Sequence, residues 1–79
     1  MESFKPTESS DLFTKIGYLV EEAGEVLAAA GKTIRWGTHS YNPLLPEAER
    51  ELNKDWLLRE LTDLDYASSL VRKQLEDMA

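Results

Sequence analysis

The chain has 79 residues, 42% of them hydrophobic and 30% charged, a formal net charge of −6 and no cysteine. That length allows one domain at most, and the apolar content suits a folded helical protein rather than a disordered one. Disulfide frames and thiolate metal sites are excluded, and the acidic balance argues against general nucleic-acid binding, though not against one nucleotide held through metal ions. No apolar run approaches the length of a membrane span, and the first residues do not read as a signal peptide, so cytoplasmic residence is expected.

Residues 1–10 read as an irregular lead-in, with Pro6 and the Ser9-Ser10 pair offering N-cap oxygens. The apolar spacing then predicts a first helix over 11–31, closed by Gly31 as a C-cap. Along it Leu12, Phe13, Ile16, Leu19, Val20, Ala23, Val26, Leu27 and Ala30 form one broad apolar face. Tyr18, Glu22, Glu25 and Ala29 run beside that face as a second stripe, and Glu21 lies further round. Gly17, Gly24 and Gly31 recur every seven residues and leave a smooth strip where another helix can approach. This helix is therefore expected to be covered on more than one side, with its acids lining an interior groove.

Residues 32–46 are expected to form a loop, punctuated by Gly37, Asn42, Pro43 and Pro46. It carries Lys32 and Arg35 but no acid, in a chain that is otherwise acidic, together with Trp36, His39 and Tyr41. Two uses are open. The cations can neutralise the negative end of the first helix, with Trp36 packed beneath the loop. Alternatively they can grip phosphate, with Trp36 or Tyr41 as a flat surface for a base. Pro46 suits the first turn of a second helix over 47–77, with Glu47 and Glu49 at its positive end and a possible interruption near residue 53.

The second helix contains the feature that points to chemistry. At about 100° per residue, Trp56, Leu57, Leu64, Ala67, Val71 and Leu75 lie within about 60° of Glu60, and Asp63 falls on the edge of the same stripe. A carboxylate in that apolar setting costs several kcal/mol unless it is paired, hydrogen-bonded or metal-bound. Arg59, Asp65, Arg72, Lys73, Glu76 and Asp77 read as solvated charges, so an ion pair within the helix is not expected. A basic partner from another helix, a wet seam and a bound metal remain the choices. The pattern is all-α: two long antiparallel helices that leave apolar surface uncovered, and so are expected to assemble as a homo-oligomer, dimer or tetramer, around a four-helix bundle.

Glu21-Glu22-Ala23-Gly24-Glu25 followed by Glu60-Leu61-Thr62-Asp63 resembles the EExxE…ExxD signature of the MazG-like all-α nucleoside triphosphate pyrophosphohydrolases. Tyr18-Leu19-Val20 and Val26-Leu27-Ala28 around the first motif, and Leu57-Leu58-Arg59 before the second, extend the likeness over roughly residues 12–75. The resemblance implies an enzyme dependent on Mg²⁺, or on Mn²⁺ in its place, that cleaves an NTP or dNTP to the monophosphate and pyrophosphate. It implies Glu22, Glu25, Glu60 and Asp63 as metal ligands, with Glu21 a ligand or the residue that orients water, and Glu21 and Glu22 as the catalytic pair. Family members carry further helices per subunit, so the substrate contacts fall here to Lys32, Arg35, Trp36 or Lys54, across a subunit boundary if necessary.

Three other classes compete. A non-catalytic helical interaction module would leave the acids solvated or set against a basic partner. A relative that binds nucleotide without cleaving it would keep the ligands and lose the reaction. A di-iron carboxylate bundle wants Glu-x-x-His motifs, and the sole histidine, His39, is in the expected loop.

Overall fold

The computed structural model describes residues 5–78, which form two 25-residue α-helices, α1 (Leu12–Trp36) and α2 (Asn53–Asp77), with one 3-10 turn between them at Glu47–Glu49. The fold is all-α: no strand occurs among the described residues. Among the described residues no helix is long and apolar enough to cross a membrane. The helices run antiparallel as a single-layer hairpin, 48 × 25 × 14 Å in extent.

Helix α1 opens on Asp11 rather than on Ser9 or Ser10. The Asp11 carboxylate accepts from the Thr14 amide at 2.8 Å and from the Thr14 hydroxyl at 3.1 Å, satisfying an amide that has no partner within the helix. Ser10 instead accepts from the Thr7 amide and closes a turn in the lead-in. At the other end α1 passes through Gly31 and is capped by Gly37, six residues beyond the expected cap. Gly37 has φ 97°, and its amide donates to the Thr33 carbonyl at 2.9 Å. The left-handed backbone that ends the helix is adopted at Gly37, the single positive-φ glycine among the described residues. Lys32, Arg35 and Trp36 therefore belong to the last two turns of α1, not to a loop.

The connection also begins and ends later than expected. Pro46 starts a 3-10 turn, not α2, and the chain extends again at Arg50 before α2 opens at Asn53. Leu52 precedes α2 with no side-chain cap. The missing cap is replaced by loop carbonyls: the amides of Asn53 and Lys54 donate to Ser40 and Thr38 at 2.8 and 2.9 Å. The buried Asn53 side chain also donates to the Gly37 carbonyl at 3.0 Å, tying the end of α1 to the start of α2. Arg50 closes the rest of the loop by donating to the Leu45 and Pro43 carbonyls.

The core is small. Ala29 and Ala67 are fully buried, joined by Tyr18, Leu70 and Val71. At the open end the lead-in straps across both helices. Pro6 is buried, its carbonyl accepts from the Tyr66 hydroxyl at 2.8 Å, and Tyr66 meets Tyr18 edge to face at 6.4 Å. Lys15 is buried as well, an outcome the sequence did not suggest. Its ammonium donates to the Glu8 carbonyl at 2.8 Å and to Gln74 Oε1 at 2.7 Å, which makes its burial tolerable.

The second stripe of α1 packs inward, as expected of a helix whose acids line a groove, and the broad apolar face divides, with Leu12, Ile16, Leu19, Ala23, Val26 and Ala30 half-buried. Lys15, Tyr18, Glu22 and Ala29 face α2, whereas Phe13, Val20 and Leu27, from the broad apolar face, lie exposed.

Candidate metal centre

Near mid-height the hairpin brings the two acidic motifs together. In α1, Glu22 and Glu25 are three residues apart and so project from neighbouring positions of one face. Opposite them α2 presents Glu60. One oxygen from each of Glu22, Glu25 and Glu60 lies within 4.8 Å of the others. Glu22 and Glu60 are each only 4% exposed, while Glu25 opens to solvent and forms the mouth of the cluster.

These carboxylates are short of partners. Glu22 Oε2 and Glu60 Oε2 are buried with no hydrogen bond. Burial raises the Glu22 pKa first of all, and the charges of Asp63, Glu60 and Glu21 add to that rise against a lowering contact from Glu25. Burial also leads at Glu60, followed by its contact with Glu25. Arg59 pulls the other way, and Asp63 adds a further rise. Burial first of all, then the charges of Glu22 and Asp63, push the Tyr18 hydroxyl up to about 12, so it stays protonated beside them.

Among the described residues a single cation touches the cluster. Arg59 Nη1 lies 3.0 Å from Glu60 Oε1, and its Nη2 lies 2.6 Å from Glu51 Oε1. This corrects the reading of Arg59 as a solvated charge: an ion pair within α2 does meet Glu60, because the long guanidinium fork can fold back over the preceding turn. It occupies Oε1 and leaves Oε2 orphaned. The signal was adjacency in sequence, which a helical wheel discounts since it places side chains by their Cβ direction alone.

The remaining candidates divide. Asp63 is half-buried on the same side of α2, close enough to act on Glu22 and Glu60 by its charge, but it does not join the three converging oxygens. Glu21 is exposed, outside that convergence. Next to the cluster lies a cavity of about 450 Å³ whose walls include Lys32, Trp36, Tyr41, Trp56 and Arg59. Arg59 thus borders both the cavity and the carboxylates. Arg35 and Lys54 do not line this cavity, and Lys54 pairs with its neighbour Asp55 at 3.0 Å. His39 sits on the exposed loop with its Nδ1 bonded to Thr38. Sequence reasoning put Trp56 in the core, without foreseeing that it would wall the same cavity as Trp36.

The donor set is all oxygen, which suits a hard divalent cation such as Mg²⁺ or Ca²⁺ over a softer metal that favours nitrogen or sulfur. Two orphaned buried carboxylate oxygens beside a third carboxylate fit such an ion. Comparison with protein-family models, with curated proteins and with solved structures matches none of them to this chain.

Proposed function

We propose that the chain is a Mg²⁺-dependent nucleoside triphosphate pyrophosphohydrolase, cleaving an NTP or dNTP to the monophosphate and pyrophosphate. The observation that carries this reading is the pair of buried carboxylates, Glu22 and Glu60, each with an unpartnered oxygen, meeting Glu25 between two antiparallel helices. Glu22, Glu25 and Glu60 hold the ion, with Asp63 as the nearest additional carboxylate. A bound divalent ion supplies positive charge for phosphate oxygens and lowers the pKa of a water. Glu25, at the open side of the cluster, is the residue best placed to orient that water. The resemblance makes Glu21 a ligand or the residue that orients water, and Glu21 is exposed and outside the convergence. Lys32 and Arg59 on the cavity wall supply cations for phosphate, and Trp36, Tyr41 and Trp56 supply flat apolar surface for a base. In this reading the chain works as a homo-oligomer.

The second reading is a non-catalytic module that binds a nucleotide or another protein. It is favoured by the number of large apolar side chains exposed on the hairpin, Phe13, Leu27 and Ile34 among them. One experiment separates the two: pyrophosphate release from a panel of NTPs and dNTPs with Mg²⁺ or Mn²⁺, run beside Glu60→Gln. Pyrophosphate from wild type alone supports hydrolysis. No release, with a melting temperature that rises on adding Mg²⁺ and nucleotide, supports binding alone. No release and no rise returns the chain to the interaction module.

A further inference from the structure

The side of α1 that faces away from α2 carries a regular pattern that the hairpin itself does not use. Phe13, Val20, Leu27 and Ile34 recur every seven residues, and Gly17, Gly24 and Gly31 fall four residues after the first three of them. With Gly24 at zero, all seven lie within an arc about 100° wide, while Glu22 and Ala29 lie about 140–160° away, by the helical period. The four large side chains are 66–87% exposed. Alternating three- and four-residue steps over more than three turns are the spacing of a coiled-coil seam.

The glycines add an independent observation. Each weakens the helix relative to alanine, and none has a positive φ that would require glycine. A Cβ placed on Gly17, Gly24 or Gly31 would meet nothing within 4 Å. Nothing in the hairpin needs these positions bare, so the space they leave is for something outside it.

We infer that this strip is the interface between two copies of the chain, packed α1 against α1 and antiparallel. The inference rests on the homo-oligomer reading above but not on its chemistry. In a parallel pair glycine would face glycine and bulky residue would face bulky residue, alternating voids with crowding in a seam that should be evenly filled. Antiparallel pairing sets Gly17 against Ile34 of the second copy, Val20 against Gly31 and Gly24 against Leu27, one small and one large side in each layer. Such a surface complements itself under a two-fold axis, and a different partner would need to supply the same alternation. The strip from Phe13 to Ile34 is about 32 Å long. With Ile16, Ala23 and Ala30 beside it, pairing hides roughly several hundred Å² per copy, the scale of a small, reversible interface. Glu22 and Glu25 stay on the far side of α1, so the carboxylate cluster remains open in the dimer.

Sedimentation across a concentration series, with helicity followed by circular dichroism, tests this on the whole chain. Wild type is expected to reach twice the monomer mass or a multiple of it. Gly24→Leu, whose side chain enters open space in the hairpin, is expected to keep its helicity while its mass falls by half or more. Orientation is read by adding cysteines to this cysteine-free chain. Thr14→Cys protein mixed with Arg35→Cys protein should form the mixed disulfide in preference to either symmetric one. A monomeric wild type at 100-micromolar order, a Gly24→Leu protein that associates as tightly as wild type, or symmetric disulfides in preference to mixed ones would each overturn the proposal. Pyrophosphate release measured on the same samples reports separately on the hydrolase reading.

Discussion

The two long sides of α1 differ more than the two helices do. The side against α2 buries Lys15, Glu22 and Ala29 and is half polar, whereas the side turned away from it holds Phe13, Val20, Leu27 and Ile34 in solvent. A helix usually turns its apolar stripe inward. Here the inward face instead holds charges, one of them (Lys15) satisfied by the lead-in and Gln74, two of them (Glu22 and Glu60 across the seam) left with an orphaned oxygen. On the readings proposed above, the inward face bears this cost because it holds an ion, and the outward face is apolar because it meets a second copy.

The contrast breaks most sharply at Glu60. Replacing it with glutamine keeps the shape and removes the charge, and should lower pyrophosphate release by about 100-fold or more while the circular dichroism spectrum stays helical. Retained activity would remove Glu60 from the chemistry. Saturating divalent ion is the next largest lever. Mg²⁺ at a hundred times its dissociation constant should stabilise wild type by about 2.7 kcal/mol, seen as a rise in melting temperature that Glu22→Gln loses. An equal rise in both proteins would place the ion elsewhere.

Adjacent alanines compare the two sides directly. Ala29 is fully buried against the α2 side and Ala28 is exposed. Ala29→Leu should therefore destabilise by about 1–3 kcal/mol through overpacking, whereas Ala28→Leu should change hairpin stability by about 0.5 kcal/mol or less. Urea unfolding of the two variants, at concentrations too low for the chain to associate, decides it, and similar losses would mean that the two sides of the lone hairpin are packed alike.

The smallest effect expected is in pH. Glu22 and Glu60 have raised pKa values in the folded chain, so the folded state holds protons that the unfolded chain releases. Their contribution is fully present below the ordinary carboxylate pKa and is lost as pH rises through the shifted values. Asp11, lowered by its bonds from Thr14, and Glu8, lowered by Lys73, have the opposite sign and lose their contribution as pH falls. Without divalent ion, the double variant Glu22→Gln, Glu60→Gln should therefore lose less stability than wild type between mildly acid and neutral pH. Parallel melting curves for the two proteins would contradict the raised values.

Much of this was legible in the chain. Glu60 inside an apolar stripe reads from spacing alone, because a helix fixes side-chain direction once its period is known. The structure buries it with Ala67 and Val71 of that stripe, while Leu75 at its far end lies exposed and Leu70 from outside it is buried instead. The end of α1 was not legible at that level. Gly31 and Gly37 are both plausible stops, and Gly37 prevails where Asn53 and the Thr38–Ser40 carbonyls anchor the turn to α2. Arg59 was missed for a related reason: whether a long flexible cation reaches back to its neighbour depends on what that neighbour lacks once it is buried.

By itself the sequence determined the element types, the two acidic motifs, the glycine heptad and the exclusion of thiolate chemistry, all set by local periodicity or composition. Only the tertiary structure decided which side of α1 meets α2. Both stripes satisfy the same helical period, and the choice between them is made by what lies opposite. The close fit at Ala29, together with the partners that Lys15 finds in Gln74 and the lead-in, turns the mixed stripe inward and leaves Phe13, Val20, Leu27 and Ile34 outside.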